Sequence, residues 1–497
     1  MSTDIHTTLQ QILLPPKPRP AERGVIALVH RSNGFLRRTL LIQDVVIPRE
    51  GEVTFDIHGL QFSPAYKSRA TDAAAVAAAG IIFIHTHPAL VGSTANPRPS
   101  NDDLTADARD LYALGQTLRS DAPLAAGIMN DAGRWSVREY AFRFPRSARE
   151  TRNSAFGIAS ARMSFATAVR VVGTRLIKTA TDVSAPGPAG AQGATAPVAQ
   201  DSSIRLWGEI GQRALASLRV GLAGAGGVGS ILAEHLARLG VGQLVIVDFD
   251  RYSSDVANRT QGATRQDAKE RRLKVDLAAR AARRGATAPE FRAFPMTGSV
   301  VEAPTMPYLL DCDVILNAAD SPWARQVLDH LAFAHLIPVI HGGTLLAGDA
   351  KTGALRSGKA EVSATGPGQA CSQCANVYSI RDVTDAQEAP DVRGPRGYVR
   401  PGEPTPEIEL RAPSVIAFNA LVAGLMELRL LAIAIGTTPD AIVGVQRYYP
   451  IEGTLGWGAI RACKTDCSRR EITAFGDTYP LPLGRDLDRA ARASAAD

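Results

Sequence analysis

The chain is poor in two residue types that carry chemistry, and each shortage narrows the reading. Only five cysteines occur among 497 residues, and the first is Cys312. A disulfide framework of the kind that holds small secreted domains together is therefore excluded. Lysine is nearly as scarce: positions 17, 67, 178, 269, 274, 351, 359 and 464 hold all of it, and the rest of the 55 basic residues are arginine. A lysine at a catalytic-looking place consequently carries more weight than usual. A basic n-region followed by an apolar run is missing from MSTDIHTTLQQILLPPKPRP, so the start does not read as a signal peptide. The longest apolar stretch, Val415 to Gly436, includes Asn419, Glu427 and Arg429, which predicts a buried helix and no membrane span. A net charge of +6 is too diffuse to imply a nucleic-acid partner. The expected compartment is a reducing cytoplasm.

What is present is ample material for more than one core: 45% hydrophobic and 21% charged residues. At roughly 150 residues per domain the length suggests about three domains, or two with a linker. Composition divides the chain at 1–150, 151–203, 204–470 and 471–497. The first zone alternates short strand-like runs (GVIALVH, RTLLIQDVVI, GIIFIHTHP, RWSVREYAF) with alanine-rich helical stretches. The second contains one convincing strand, Ala168 to Val172, and the Ala/Gly/Pro-rich run 180–203, which lacks the apolar side chains to offset its ordering entropy and reads as a linker. From residue 204 the pattern becomes strand, glycine turn, helix, strand, the βαβ unit of a parallel sheet. The last zone reads as a tail. The fold class expected is α/β in both halves.

Two constellations carry chemistry. GIIFIHTHP puts His85 and His87 on one face at the end of a buried strand, because side chains two apart point the same way. Pro99-Ser100-Asn101-Asp102-Asp103 then opens a helix and offers a carboxylate from Asp103. Two imidazoles and one carboxylate make a zinc site with a position left for water. Taken singly, Ser-x-x-Asp is a capping box and two histidines are strand-edge residues. Together, H-x-H-P followed by P-S-x-x-D resembles the JAMM metalloproteases, zinc isopeptidases with a mixed α/β/α domain that cut ubiquitin-like conjugates. The resemblance implies zinc on His85, His87 and Asp103, a general base at Glu22 and oxyanion stabilisation by Ser100. Glu50 and Glu52 are the reserve bases. The loop from His87 to Ser100 is longer than the family's usual spacing.

In the second half, Gly224-Ala-Gly226-Gly227-Val-Gly229 follows the strand RVGLA and opens the helix SILAEHLARLG, and LVIVDFD ends in Asp248 and Asp250. Alone this fits any dinucleotide-binding turn, including a dehydrogenase's. Asn258-Arg259, Lys274 and DVILNAADSPWAR, reaching Asp320 and Ser321, then follow in order. The series resembles the ThiF/MoeB family, Rossmann-like doubly wound domains that use ATP and magnesium to adenylate the C-terminal glycine of ubiquitin-like or sulfur-carrier proteins. It implies that Gly224, Gly226, Gly227 and Gly229 cradle the triphosphate and that Asp248 holds the ribose, with Asp250 in support. Asn258 and Ser321 join the nucleotide site, Arg259 and Lys274 neutralise phosphate, and Asp320 binds magnesium. Arg205 is the candidate donated to a partner subunit's nucleotide, and a homodimer is implied. The family's S-N-L-N-R-Q string stands here as Asp255-Val-Ala-Asn-Arg-Thr260.

Cys371-x-x-Cys374 and Cys463-x-x-x-Cys467 suit a closed four-thiolate structural zinc. Cys312, ahead of a buried strand, reads as core. The loop after Cys374, where thioester-forming relatives keep a cysteine, has none, so the resemblance implies a product that stops at the acyl-adenylate. The joint expectation is a bifunctional bacterial-type enzyme: an activator of a ubiquitin-like protein fused to a peptidase that trims or cleaves the same protein's conjugates. A separate conjugating enzyme is a possible further partner. The alternatives are sulfur-carrier activation toward a thiocarboxylate, and an adenylating enzyme with a non-catalytic JAMM scaffold.

Overall fold

The computed structural model describes residues 1–15, 22–56, 59–87, 96–119, 121–144, 161–181, 198–349, 351–389, 414–438 and 444–494. The central part of the run expected to be a linker, residues 182–197, lies outside these, as do residues 88–95 of the long His87–Ser100 loop and the whole of 390–413.

Two sheets organise the chain. The first half contributes β1 (Gly24–Asn33), β2 (Arg38–Val46), β3 (Val53–Asp56), β4 (Gly59–Phe62), β5 (Gly80–Thr86), β6 (Leu124–Met129), β7 (Trp135–Ala141) and β8 (Arg162–Phe165). Six of these form one sheet in the order β2-β1-β5-β6-β7-β8, while β3 and β4 pair separately. Helices α1 (Thr3–Leu13), α2 (Pro64–Val76) and α3 (Asn101–Gly115) accompany it. The sheet is buried on both faces: Val25, Ala27, Ile82 and Ile84 join Leu9 and Leu13 of α1 in one core cluster, and Ile26, Ile81 and Phe83 join Tyr66 and Leu111 in another. This explains why β5 reads as a continuous apolar run instead of an alternating one. β8 carries the sheet past residue 150.

The expected strand at Ala168–Val172 is β9, paired antiparallel with β10 (Leu176–Ala180). The second half begins with α4 (Asp201–Ala216), followed by β11 (Arg219–Ala223), α5 (Gly227–Arg238), β12 (Gln243–Asp248), α6 (Lys274–Gly285), β13 (Arg292–Thr297), β14 (Val314–Asn317), α7 (Pro322–Ala334), β15 (Val339–Gly348), β16 (Leu355–Thr365), α8 (Ile416–Ile435), β17 (Gln446–Tyr449) and β18 (Thr454–Trp457). The eight strands run β13-β12-β11-β14-β15-β16-β17-β18. Pairing is parallel from β13 to β15 and antiparallel beyond. The strand order reverses between β11 and β14, and the crevice at such a switch point is where doubly wound sheets bind ligands.

By length and composition α8 could cross a membrane. Here it lies on the sheet instead, with Val422, Met426 and Leu430 in the core. Its enclosed Arg429 donates to the Gly444 carbonyl and to Gln446 Oε1.

The two halves interlock. Backbone amides of Leu36 and Arg37, in the β1–β2 turn, donate to Asp311, and Phe35 stacks on Tyr308 with ring centroids 4.6 Å apart. Asp313, whose carboxylate is fully buried, is ringed by Arg37 at 2.8 Å, Arg170 at 3.3 Å and Lys178 at 3.0 Å. The hairpin β9–β10 is thereby a clasp between the halves.

Candidate functional sites

The register of β1 on β5 builds the first site. Gly24 pairs with His85 in antiparallel fashion, so Glu22, two residues before the strand's start, comes level with His87. The Nε2 atoms of His85 and His87 lie 3.2 Å apart. Asp103 stands 3.4 Å from each through different oxygens, and Glu22 Oε1 lies 3.9 Å from His87 Nε2. One atom from each of His85, His87 and Asp103 falls within 4.8 Å of the others, a spacing that suits a single metal ion. Burial raises the Asp103 carboxyl pKa, but bonds from His85, His87 and the Ser100 amide outweigh it and hold the group well below its ordinary range. His87 is raised, chiefly by Asp103.

Ser100 makes the capping box of α3: it accepts from the Asp103 amide at 3.0 Å, and its hydroxyl donates to Asp103 at 2.8 Å. The serine therefore fixes the aim of a candidate metal ligand. Of the reserve bases, Glu52 is committed to Arg69 and to the Arg49 amide. One turn along α3, Asp107 forms a buried pair with Arg138, which also donates to Tyr140. The sequence reading missed this support beneath the site; only Asp107's position one helical turn from Asp103 hinted at it.

The second site lies at the switch point. Gly224 has φ +89°, and a Cβ there would come 2.9 Å from the Ala319 amide nitrogen, so only glycine lets the loop pass the end of β14. Gly226, the N-cap of α5, makes no side-chain cap bond, and a Cβ on it would meet open space. The protein itself does not need glycine there, while a phosphate approaching the helix N-terminus does. Asp248 accepts from the amides of Ala225 and Asp250, both at 2.7 Å, and burial raises its pKa. The expected ribose holder thus also ties the glycine turn to β12. The acid with side-chain partners is Asp250, whose Oδ2 is 2.7 Å from Lys274 Nζ. Lys274 opens α6.

The remaining expected residues are less committed. Asp320 is exposed at the C-terminal end of β14, and Ser321 caps α7 through the Ala324 amide. Arg259 bonds within its own turn, to the Asp255 carbonyl and Asn258. Arg205 pairs with Asp201 on the exposed side of α4. Sequence reasoning also missed a buried chain behind Asp320. Asn317 accepts from the Ala319 amide and contacts His341 at 3.0 Å. His341 stands 3.3 Å from Asp329, which accepts from both the amide and the hydroxyl of Ser372 at 2.9 Å.

Ser372 adjoins the cysteine module. The four sulfurs of Cys371, Cys374, Cys463 and Cys467 gather within 4.8 Å. The Cys371 amide donates to Cys463 Sγ at 3.1 Å and the Cys374 amide to Cys371 Sγ at 3.4 Å, an arrangement suited to thiolates around zinc. The extra residue in the second pair does not prevent the cluster. None of the five cysteines is in a disulfide; Cys312 is buried, which pushes its thiol up to about 12.

A doubly wound sheet with a glycine turn at its switch point defines a nucleotide-binding class of domain. The ThiF family model matches residues 199–468, and the chain belongs to that family. Among curated proteins, it is 30% identical over 135 residues to the molybdopterin-synthase adenylyltransferase of Escherichia coli K12, covering 27% of this chain and 53% of that one. It is 32% identical over 135 residues to the SAMP-activating enzyme E1 of Haloferax volcanii, covering 27% and 48%. The chain thus spans about half the length of these relatives. A solved structure of E. coli MccB with MccA-N7isoASN aligns at a TM-score of 0.42 and 14% identity, over 55% of this chain and 74% of that one.

Proposed function

We propose that residues 204–470 adenylate the C-terminal glycine of a ubiquitin-like or sulfur-carrier protein with magnesium ATP, and that residues 1–150 form a JAMM-type zinc peptidase acting on that protein's precursor or conjugates. The adenylation reading rests on family membership together with the glycine turn, Lys274 and Asp320 at one switch point. The amides at Gly226 and Gly227 and the α5 N-terminus bind phosphate oxygens. Asp248 takes the ribose with Asp250 in support, Lys274 turns from Asp250 toward phosphate, and Asp320 holds magnesium. The attacking carboxylate and the α-phosphate are both anions, so these cations lower the barrier by screening their repulsion. Cys312 is buried and the cysteine cluster is suited to metal, so no described cysteine is placed to take the acyl group.

The peptidase reading is carried by the convergence of Glu22, His85, His87 and Asp103 across elements distant in sequence. Zinc, when bound, supplies the Lewis acid that makes water a competent nucleophile near neutral pH. Glu22 accepts that water's proton and returns it to the leaving amine. Ser100 holds Asp103, and its hydroxyl donates to the developing oxyanion when it swings from Asp103. The cysteine cluster holds a structural zinc. A homodimer through the adenylating domain and a cytoplasmic setting belong to the same reading.

The test is twofold. ATP–pyrophosphate exchange with a ubiquitin-like protein ending in glycine should be supported by wild type and lost in Lys274→Ala. A fusion of that protein to a reporter should be cut by wild type and not by Glu22→Ala; full-rate cutting by Glu22→Ala overturns the choice of base. If product formation requires a sulfur donor, the partner is a sulfur carrier.

A further inference from the structure

A row of buried polar side chains crosses the second sheet behind Asp320. Asn317 on β14 and His341 on β15 are register partners on neighbouring parallel strands, and both are fully buried. Asn317 Oδ1 accepts from the Ala319 amide at 3.1 Å, which leaves its Nδ2 to face His341 Nδ1 at 3.0 Å. An amide nitrogen can only donate, so Nδ1 is the acceptor and the ring proton sits on Nε2. That Nε2 stands 3.3 Å from Asp329 Oδ1 on α7, a close contact without hydrogen-bond alignment. Asp329 is fully buried as well. It accepts from the amide and the hydroxyl of Ser372, both at 2.9 Å, and from Tyr378 Oη at 3.2 Å.

The two ends of the row reach different places. At one end, the Ala319 amide held by Asn317 belongs to the turn that carries Asp320, and in the same turn the Ala318 amide donates to the Ala223 carbonyl at 2.8 Å. Asp320 itself is exposed, so its backbone is fixed from behind. At the other end, Ser372 lies inside the Cys371-x-x-Cys374 turn, and its carbonyl accepts from the Val377 amide at 2.8 Å. Zinc on the four thiolates would fix that turn, and with it both Ser372 donors to Asp329. A carboxylate and an imidazole are costly to bury, and apolar side chains would fill the same space without that cost. Their position between a metal-suited module and the turn of an exposed acid gives them a task beyond packing.

We propose that Asp329 and His341 are positioning residues for magnesium–nucleotide binding: through Asn317 they carry the order of the cysteine turn to the Ala319–Asp320 turn. This rests on the nucleotide site proposed above. Both residues are enclosed, so they act only by holding one orientation of the Asn317 amide. With the ring proton turned toward Asp329, a reversed amide would set Oδ1 against the lone pair of Nδ1 and Nδ2 against the Ala319 N–H, two repulsions in place of two hydrogen bonds.

Calorimetric titration of the full chain with a non-hydrolysable ATP analogue, with and without magnesium, tests it. Asp329→Asn should weaken the affinity measured with magnesium by about two- to thirtyfold, the range for residues that couple sites without touching a ligand. The affinity without magnesium should stay nearly unchanged. Ser372→Ala removes one hydroxyl and keeps the amide bond, so it should move the same reading the same way, and it carries the test if Asp329→Asn does not fold. Cys374→Ser should also weaken the magnesium-dependent affinity, and Asp329→Asn added to it should cost little more, because both act along one chain of contacts. Equal losses with and without magnesium, or no loss in Asp329→Asn and Ser372→Ala, overturn the positioning role and leave the nucleotide site standing. Fully additive losses in the double variant overturn the link to the cysteine turn. Failure of wild type to bind the analogue under either condition removes the nucleotide site, and the positioning role with it.

Discussion

Gly224 and Gly226 sit two residues apart in one turn, yet a methyl group meets opposite surroundings at each: the Ala319 backbone at Gly224 and open space at Gly226. The two glycines are therefore separable by mutation. Gly224→Ala forces an L-residue to φ +89° against backbone and should cost about 1–3 kcal/mol of stability. Gly226→Ala should leave the melting temperature within a degree or two and weaken ATP-analogue binding at least tenfold. Thermal melts and calorimetry on both variants check the pair of outcomes.

Metal content tests both donor clusters at once. The full chain should carry about two zinc ions. Cys371→Ser should remove one and lower the melting temperature, while His87→Ala should remove the other with a smaller thermal effect. Elemental analysis of wild type, each variant and the double variant gives the answer. Loss of both ions in either single variant contradicts two independent sites.

The Asp313 clasp makes stability depend on acid. Burial raises this carboxyl's pKa, but Lys178, Arg37 and Arg170 more than offset that, leaving it well below the ordinary value. A carboxylate depressed in the folded state contributes fully above the unfolded pKa of about 4 and loses its contribution as pH falls below it. Asp313→Asn should cost about 3–5 kcal/mol at pH 7, because three cations lose their shared partner. The gap between wild type and variant, followed as urea midpoints, should narrow from pH 5 toward pH 2.5.

Ser100 separates capping from chemistry. Ser100→Ala should destabilise by about 0.5–2 kcal/mol through the lost N-cap and slow reporter cleavage well beyond what that destabilisation explains. Ser100→Thr keeps a hydroxyl and should restore most of both. Cleavage rates measured on fully folded protein decide it.

The sequence was most readable where one short motif carries its own geometry. His85 and His87 share a face because they are two apart on a strand, and Glu22 was within reach because β1 starts level with the end of β5. The glycine turn and the order of acids after it disclosed the second sheet. What stayed hidden depends on partners far apart in the chain. That Asp248 also holds the glycine turn rests on the amides of Ala225 and Asp250, which the motif does not disclose. The clasp needs Arg37, Arg170, Lys178 and Asp313 together, from four separate segments. Residues 482–489 read as part of a tail because their contacts use Trp323, Val301 and Glu302, each of which reads as an ordinary residue of its own element.

The most direct measurement is the intact mass of a ubiquitin-like protein ending in glycine after incubation with the chain and magnesium ATP. An AMP adduct on its C-terminus, released together with pyrophosphate and absent with Asp320→Ala, is the predicted result. ATP turnover to ADP without any adduct, unchanged in Asp320→Ala, would contradict the account.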